Sequence, residues 1–265
     1  MAIKQNTYGQ LSDKQVFMLD MDGTFYLGDR ILPGSLDFIE TLKSKGKAYL
    51  FFTNNSSKND RSYVEKLKNM GCEVSRDRII TSGMVTAGYL NREYPDAGVY
   101  LMGTDLLAEG MLKAGVRLTE ENPDVVVVGY DTALTYEKLT KVCDYIRAGA
   151  PFIATHPDIN CPTETGFVPD CGAICAAISA STGVTPTVLG KPEAETVRYI
   201  LDRSGCDKSD LIYIGDRLYT DIALGRHGIT TALVLSGETK EEDLAGSAVR
   251  PDIVADRLLD LGSLV

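Results

Sequence analysis

Short apolar runs, each broken off by polar residues and separated by stretches of helical spacing, limit this chain to few folds. Val16-Phe17-Met18-Leu19 is rich in strand formers and passes straight into Asp20-Met21-Asp22-Gly23-Thr24. A run that short, bounded by polar and flexible residues, reads as a buried strand. Ala48-Tyr49-Leu50-Phe51-Phe52, Val125-Val126-Val127-Val128, Leu211-Ile212-Tyr213-Ile214 and Thr231-Ala232-Leu233-Val234-Leu235 read the same way. Between them, Leu36, Ile39 and Leu42 recur at helical spacing before Gly46, and Arg61 to Met70 is helical up to Gly71. Strands alternating with helices predict an α/β fold, a doubly wound and mostly parallel sheet with right-handed crossovers.

The middle of the chain repeats the rhythm with elements of its own. Val99 to Met102 and Pro151 to Thr155 read as strands, and Thr104 to Ala114, Tyr136 to Ala148 and Gly172 to Thr182 as helices. This block can bury a separate core, so the division expected is residues 1–83 and 187–265 as one domain, with 84–186 inserted as a second, α/β domain. Hinges are expected at the two crossings, Ser82-Gly83 and Thr185-Pro186. A length of 265 residues suffices for both domains.

Charge and composition remove several classes of partner. A net charge of −10 argues against a nucleic-acid-binding face and, more weakly, against a membrane surface. No apolar stretch approaches the roughly 20 residues a membrane span needs. Met1 to Lys14 is polar and lacks the apolar core of a signal peptide, so a cytoplasmic protein is expected. The six cysteines form no Cys-x-x-Cys, and only His156 and His227 could complete a zinc site, so free thiols in a reducing compartment are expected.

The polar residues that end the runs share a chemical theme: Asp20 and Asp22, Thr53 and Asn54, Lys191, then Asp216 and Asp221. Taken singly, each has an ordinary reading. Asp-Gly-Thr and Gly-Asp are turn chemistry, Thr-Asn caps helices, and Gly-Lys-Pro is a loop with a solvated lysine. Taken together, in a parallel sheet whose strands all point one way, their ends would converge on one edge, where α/β sheets bind ligands. Several carboxylates beside one lysine suggest a hard divalent cation with oxygen ligands, hence Mg²⁺. That set suits phosphoryl transfer. One carboxylate can attack phosphorus and a second can move protons, while a threonine and a lysine neutralise the phosphoryl oxygens.

Through Asp20-Met21-Asp22-Gly23-Thr24, Thr53-Asn54, Lys191 and Gly215-Asp216-Arg217-Leu218-Tyr219-Thr220-Asp221, the chain resembles the haloacid dehalogenase superfamily of phosphohydrolases. The segments Ala154-Thr155-His156-Pro157-Asp158, Pro162-Thr163-Glu164 and Gly190-Lys191-Pro192 are similar to the NagD-like, nitrophenylphosphatase subfamily, whose large α/β cap is inserted into a Rossmann-like core. The resemblance implies a Mg²⁺-dependent phosphatase of small phosphomonoesters. In it Asp20 is nucleophile and metal ligand, and Asp22 is general acid/base and gives its backbone carbonyl to the metal. Asp216 is a metal ligand, Asp221 supports the metal's waters, and Thr53, Asn54 and Lys191 hold the phosphoryl group. The loop Gly166 to Gly172 selects the substrate. Asp170 within it is either a polar contact or a solvated loop residue, and His156 stands where the family pattern often has Asn. His227 is read as structural. A homodimer through the cap is a further expectation of the resemblance. The alternatives weighed are a phosphomutase or other phosphotransferase on the same core, and a signalling module phosphorylated on aspartate.

Overall fold

The computed structural model describes residues 3–163 and 166–265, so Glu164 of the subfamily motif lies outside the described residues. The chain forms two compact units. One holds Met1–Thr53, Val64–Ile80 and Val197–Val265, and the other Asn54–Tyr63 and Thr81–Thr196.

The first unit is built on a seven-stranded sheet with Val16–Asp20 near its middle. That strand pairs in parallel with Leu211–Gly215 on one side and Ala48–Thr53 on the other. Strands covered on both faces read as continuous apolar runs, and Val16–Asp20 and Leu211–Gly215 are buried along their whole length. Beyond Leu211–Gly215 lie Thr230–Val234 and Ile253–Ala255, both parallel, and then Ile3–Asn6, which runs antiparallel at the edge. Ile79–Thr81 forms the opposite edge. Phe25 packs edge-on against Phe51 with ring centroids 4.7 Å apart, which seals the turn after Asp20 to the neighbouring strand.

The second unit has its own parallel sheet, in the order Thr187–Val188, Phe152–Ala154, Val125–Val128, Gly98–Met102 and Arg117–Leu118. Met102, Val126, Val128, Phe152, Ile174 and Ile178 belong to one core under it. Its helices start on capping side chains. Thr104 accepts from Leu107 N at 3.2 Å to open Asp105–Lys113, and Thr135 accepts from Lys138 N at 3.2 Å to open Tyr136–Arg147. Such caps are worth about 1 kcal/mol each. Asn160–Thr163 and Gly166–Pro169 pair as an exposed antiparallel hairpin.

One finding differs from the sequence reading. Thr187–Val188, which leads to Lys191, pairs with Phe152–Ala154 rather than with the sheet that carries Asp20, so only three of the four polar strand ends share one sheet. Two residues of strand carry too little pattern to assign a sheet. The second compact unit runs to Thr196, inside the helix Ala194–Ser204. Asn54–Tyr63 belongs to the second unit because Ser56 is tied there: its Oγ accepts from Tyr130 N at 2.8 Å and from Thr155 Oγ1 at 2.9 Å.

Candidate active site

The sheet register places the acidic residues. Asp20 closes Val16–Asp20 opposite Phe52, and Leu19 stands opposite Ile214, one residue before Gly215-Asp216. Oxygens of Asp20, Asp216 and Asp221 all lie within 4.8 Å of one another, and all three side chains are buried. Asp216 is held from several sides. Oδ1 accepts from Thr24 Oγ1 at 3.1 Å, Oδ2 accepts from Glu238 N at 2.7 Å, and its carbonyl accepts from Thr239 N at 3.2 Å. Asp221 Oδ2 accepts from Arg217 N at 3.0 Å, closing the loop between them.

Gly23 is required by this packing. Its φ of 83° is a left-handed conformation, and a Cβ there would stand 2.4 Å from Asp216 Oδ2. Ser236 Oγ donates to the Gly23 carbonyl at 2.8 Å, fixing the turn from the other side.

Electrostatically Asp216 is under-compensated. Burial and the neighbouring Asp221 push the Asp216 carboxyl up to about 6, against the pull of the Glu238 amide, Arg217 and Thr24. Buried carboxylates this close call for a proton or a cation. A donor set made wholly of oxygens suits Mg²⁺, so these residues fit the expected metal.

Asp22 follows in the turn and is exposed, bridged through its backbone to Tyr26. The protein crowded around its carboxyl raises it above the usual carboxylate range, while Lys66 and Arg217 oppose the rise. Thr53, buried, ends the strand next to Asp20.

A second cluster forms in the other unit. Asn54 Nδ2 donates to Asp158 Oδ1 at 3.1 Å and to the Lys191 carbonyl at 3.0 Å, and Asn54 Oδ1 accepts from Lys191 N at 2.9 Å. The approach depends on Gly190, where a Cβ would meet Asn54 Oδ1, His156 Cβ and the Thr155 carbonyl, each at 2.7 Å. Lys191 itself is buried and joined to Pro192 by a cis peptide. His156 is wholly buried beside Asp158 and Asp170. Asp170 is no solvated loop residue. It is buried and caps the helix Cys171–Thr182, accepting from Cys171 N at 2.6 Å.

The structure thus gathers Asp20, Asp216 and Asp221 in the first unit and Asn54, Lys191, His156 and Asp170 in the second. His227 lies outside both clusters, on the 3-10 helix Ile222–His227 of the first unit, accepting from Arg226 Nε at 3.1 Å. Sequence reasoning singled out neither Asp158 nor the Ser236–Thr239 loop. Asp158 lies four residues after the strand Phe152–Ala154 and Asp216 directly after Leu211–Gly215, so a place beyond a strand end could have marked Asp158 as well. All six cysteines are free. Among the described residues no helix is long and apolar enough to cross a membrane.

Comparison with known proteins finds relatives along nearly the whole chain. A haloacid dehalogenase-like hydrolase family model matches residues 17–117, and a second, HAD-hydrolase-like model matches residues 188–261. The chain is 38% identical over 239 residues to an acid sugar phosphatase of Staphylococcus epidermidis, covering 89% of this chain and 92% of the relative. It is 36% identical over 245 residues to a 5'-nucleotidase of Bacillus subtilis, covering 92% and 96%. Among solved structures, a 4-nitrophenylphosphatase of Thermotoga maritima superposes with a TM-score of 0.93 at 49% identity, covering 96% of this chain and 98% of that one.

Proposed function

The chain belongs to the haloacid dehalogenase-like hydrolases, and on that premise we propose that it hydrolyses small phosphomonoesters in two steps through an aspartyl-phosphate on Asp20. It is a phosphoric monoester hydrolase, as its named relatives are. The observation that carries the two-step reading is the buried trio Asp20, Asp216 and Asp221 at the ends of adjacent strands. Asp20, Asp216 and the backbone carbonyl of Asp22 would hold Mg²⁺, with Asp221 supporting its waters. Bound there, the cation screens the phosphate from the carboxylates.

In the first step an Asp20 carboxylate oxygen attacks phosphorus, the bond from phosphorus to the leaving oxygen breaks, and Asp22 gives that oxygen a proton. In the second, Asp22 takes a proton from water, whose oxygen attacks phosphorus and releases Asp20 and inorganic phosphate. The raised carboxyl of Asp22 suits a group that must hold a proton before giving it up. Thr53, Asn54 and Lys191 bind the phosphoryl oxygens, where charge spreads as the bond breaks. Selection among substrates lies with the inserted α/β segment, residues 84–186.

The test is a panel of phosphate esters (sugar phosphates, nucleoside monophosphates, phosphoglycolate, pyridoxal phosphate and 4-nitrophenyl phosphate) assayed with Mg²⁺ and with EDTA. Hydrolysis that needs Mg²⁺ and disappears in Asp20→Asn is expected. An Asp20→Asn protein with undiminished turnover overturns the reading, and a phosphoenzyme stable for minutes points instead to a signalling module. A homodimer through the second unit follows from the family resemblance, and light scattering checks it. The free thiols suit a reducing cytoplasm.

A further inference from the structure

His156 has no exposed surface, and neither ring nitrogen makes a hydrogen bond. A buried imidazole in that condition is costly unless charge compensates it. Its two nitrogens face two different carboxylates: Nδ1 stands 3.6 Å from Asp158 Oδ2 and Nε2 stands 3.5 Å from Asp170 Oδ1. Each carboxylate is tied onward through its other contacts. Asp158 Oδ1 accepts from Asn54 Nδ2, and Asn54 grips both the N–H and the carbonyl of Lys191. Asp170 Oδ1 accepts from the first amide of the helix Cys171–Thr182.

We propose that His156 is a positioning residue that carries a proton on each ring nitrogen, bridges Asp158 to Asp170, and through Asp158 and Asn54 fixes the backbone of Lys191. The role rests on the proposed assignment of Asn54 and Lys191 to the phosphoryl group. It assigns His156 no contact with substrate, which a side chain without exposed surface cannot make.

Charge and geometry agree on the bridge. A neutral imidazole would turn a lone pair toward one of the two buried carboxylates, whereas a doubly protonated ring turns an N–H toward each. The titratable groups facing the ring are Asp158, Asp170 and the Cys171 thiol. Burial opposes the ring's charge, but Cys171, Asp158 and Asp170 outweigh it and raise His156 to about 9. Against the effect of its burial, the Cys171 thiol is drawn down by contact with the Cys175 sulfur, 4.0 Å away, and by the His156 charge.

The chain has only two histidines, so ring ¹⁵N spectra of the full-length protein contain two imidazoles, and His227→Gln removes one of them. At pH 7.5 both nitrogens of His156 are expected to be protonated. One protonated nitrogen, the signature of a neutral ring or of a ring ligating a metal, overturns the proposal. With 4-nitrophenyl phosphate, His156→Gln is expected to lower kcat/KM about ten- to a hundredfold, as loss of an outer-shell partner does. The alkaline limb of the wild-type pH profile is expected to follow the ionisation seen in the ring nitrogens and to shift in the variant. A variant within twofold of wild type, or an unshifted limb, overturns the positioning role even if the ring is doubly protonated. The spectra need no variant to fold for the His156 result. They also read the same whether or not Asp20→Asn retains turnover, so failure of the bridge and failure of the phosphatase reading are separable.

Discussion

At the scale of single residues, the candidate site is a problem of crowding. Gly23 leaves Asp216 the space that any side chain would fill, since a Cβ would stand 2.4 Å from a carboxylate oxygen already accepting from an amide. Gly23→Ala combines that overlap with a φ of 83°, so it is expected to destabilise the fold by about 1–3 kcal/mol and to weaken Mg²⁺ binding. Urea unfolding and titration calorimetry check the two effects. Asp22 makes the opposite case. It is exposed in the turn, where its carboxyl meets Tyr26 and the Gly28 amide rather than Asp216, so replacing it should bear chiefly on chemistry. Asp22→Asn is expected to keep its unfolding midpoint while kcat for 4-nitrophenyl phosphate falls about 10²–10⁴-fold, the usual contribution of a general acid. A midpoint shift as large as that of Gly23→Ala would mean that Asp22 is structural.

At the scale of elements, the chain shows which signals reach the sequence and which do not. Val125–Val128 and Leu211–Gly215 were legible because central parallel strands are apolar on both faces. Ile3–Asn6 was not, because an edge strand of polar residues carries no such run. Asp20, Asp216 and Asp221 were legible because a strand end followed by carboxylates is a local pattern, and sheet register then brings the patterns together. The sheet that takes Thr187–Val188, and the burial of Asp170, depend on partners distant in the chain and leave no local trace. The loop after Ala48–Thr53 belongs with these. Ser56 is wholly buried and its hydroxyl joins Tyr130 to Thr155. Ser56→Ala would leave the Tyr130 amide buried without its acceptor, at a cost of about 1–3 kcal/mol. A lower urea midpoint at unchanged slope is the expected result, and a midpoint equal to wild type would show that the Ser56 hydroxyl is not what ties Asn54–Tyr63 to its unit.

At the scale of the whole molecule, an acidic chain concentrates buried negative charge at one strand edge, and pH and Mg²⁺ should therefore act on its stability together. Net charge is −10, so nothing in the general field offsets the cost of ionising Asp216 beside Asp20 and Asp221. With its carboxyl raised from 3.8 to about 6, Asp216 binds a proton more tightly in the folded chain than in the unfolded one. Its contribution in the metal-free protein is therefore complete below the unfolded value and is lost as pH rises through about 6. Mg²⁺ needs the ionised carboxylate and so competes with that proton. The rise in Tm on adding Mg²⁺ to EDTA-stripped protein is expected to be small near about pH 5 and to grow to a plateau near about pH 7. Asp216→Asn removes the competing proton and the ligand charge together, so its Mg²⁺ response should be weak and nearly flat over that range. Thermal scans at both pH values, with and without Mg²⁺, read all of this directly. A wild-type gain as large at the lower pH as at the higher would show that Mg²⁺ does not bind through Asp216.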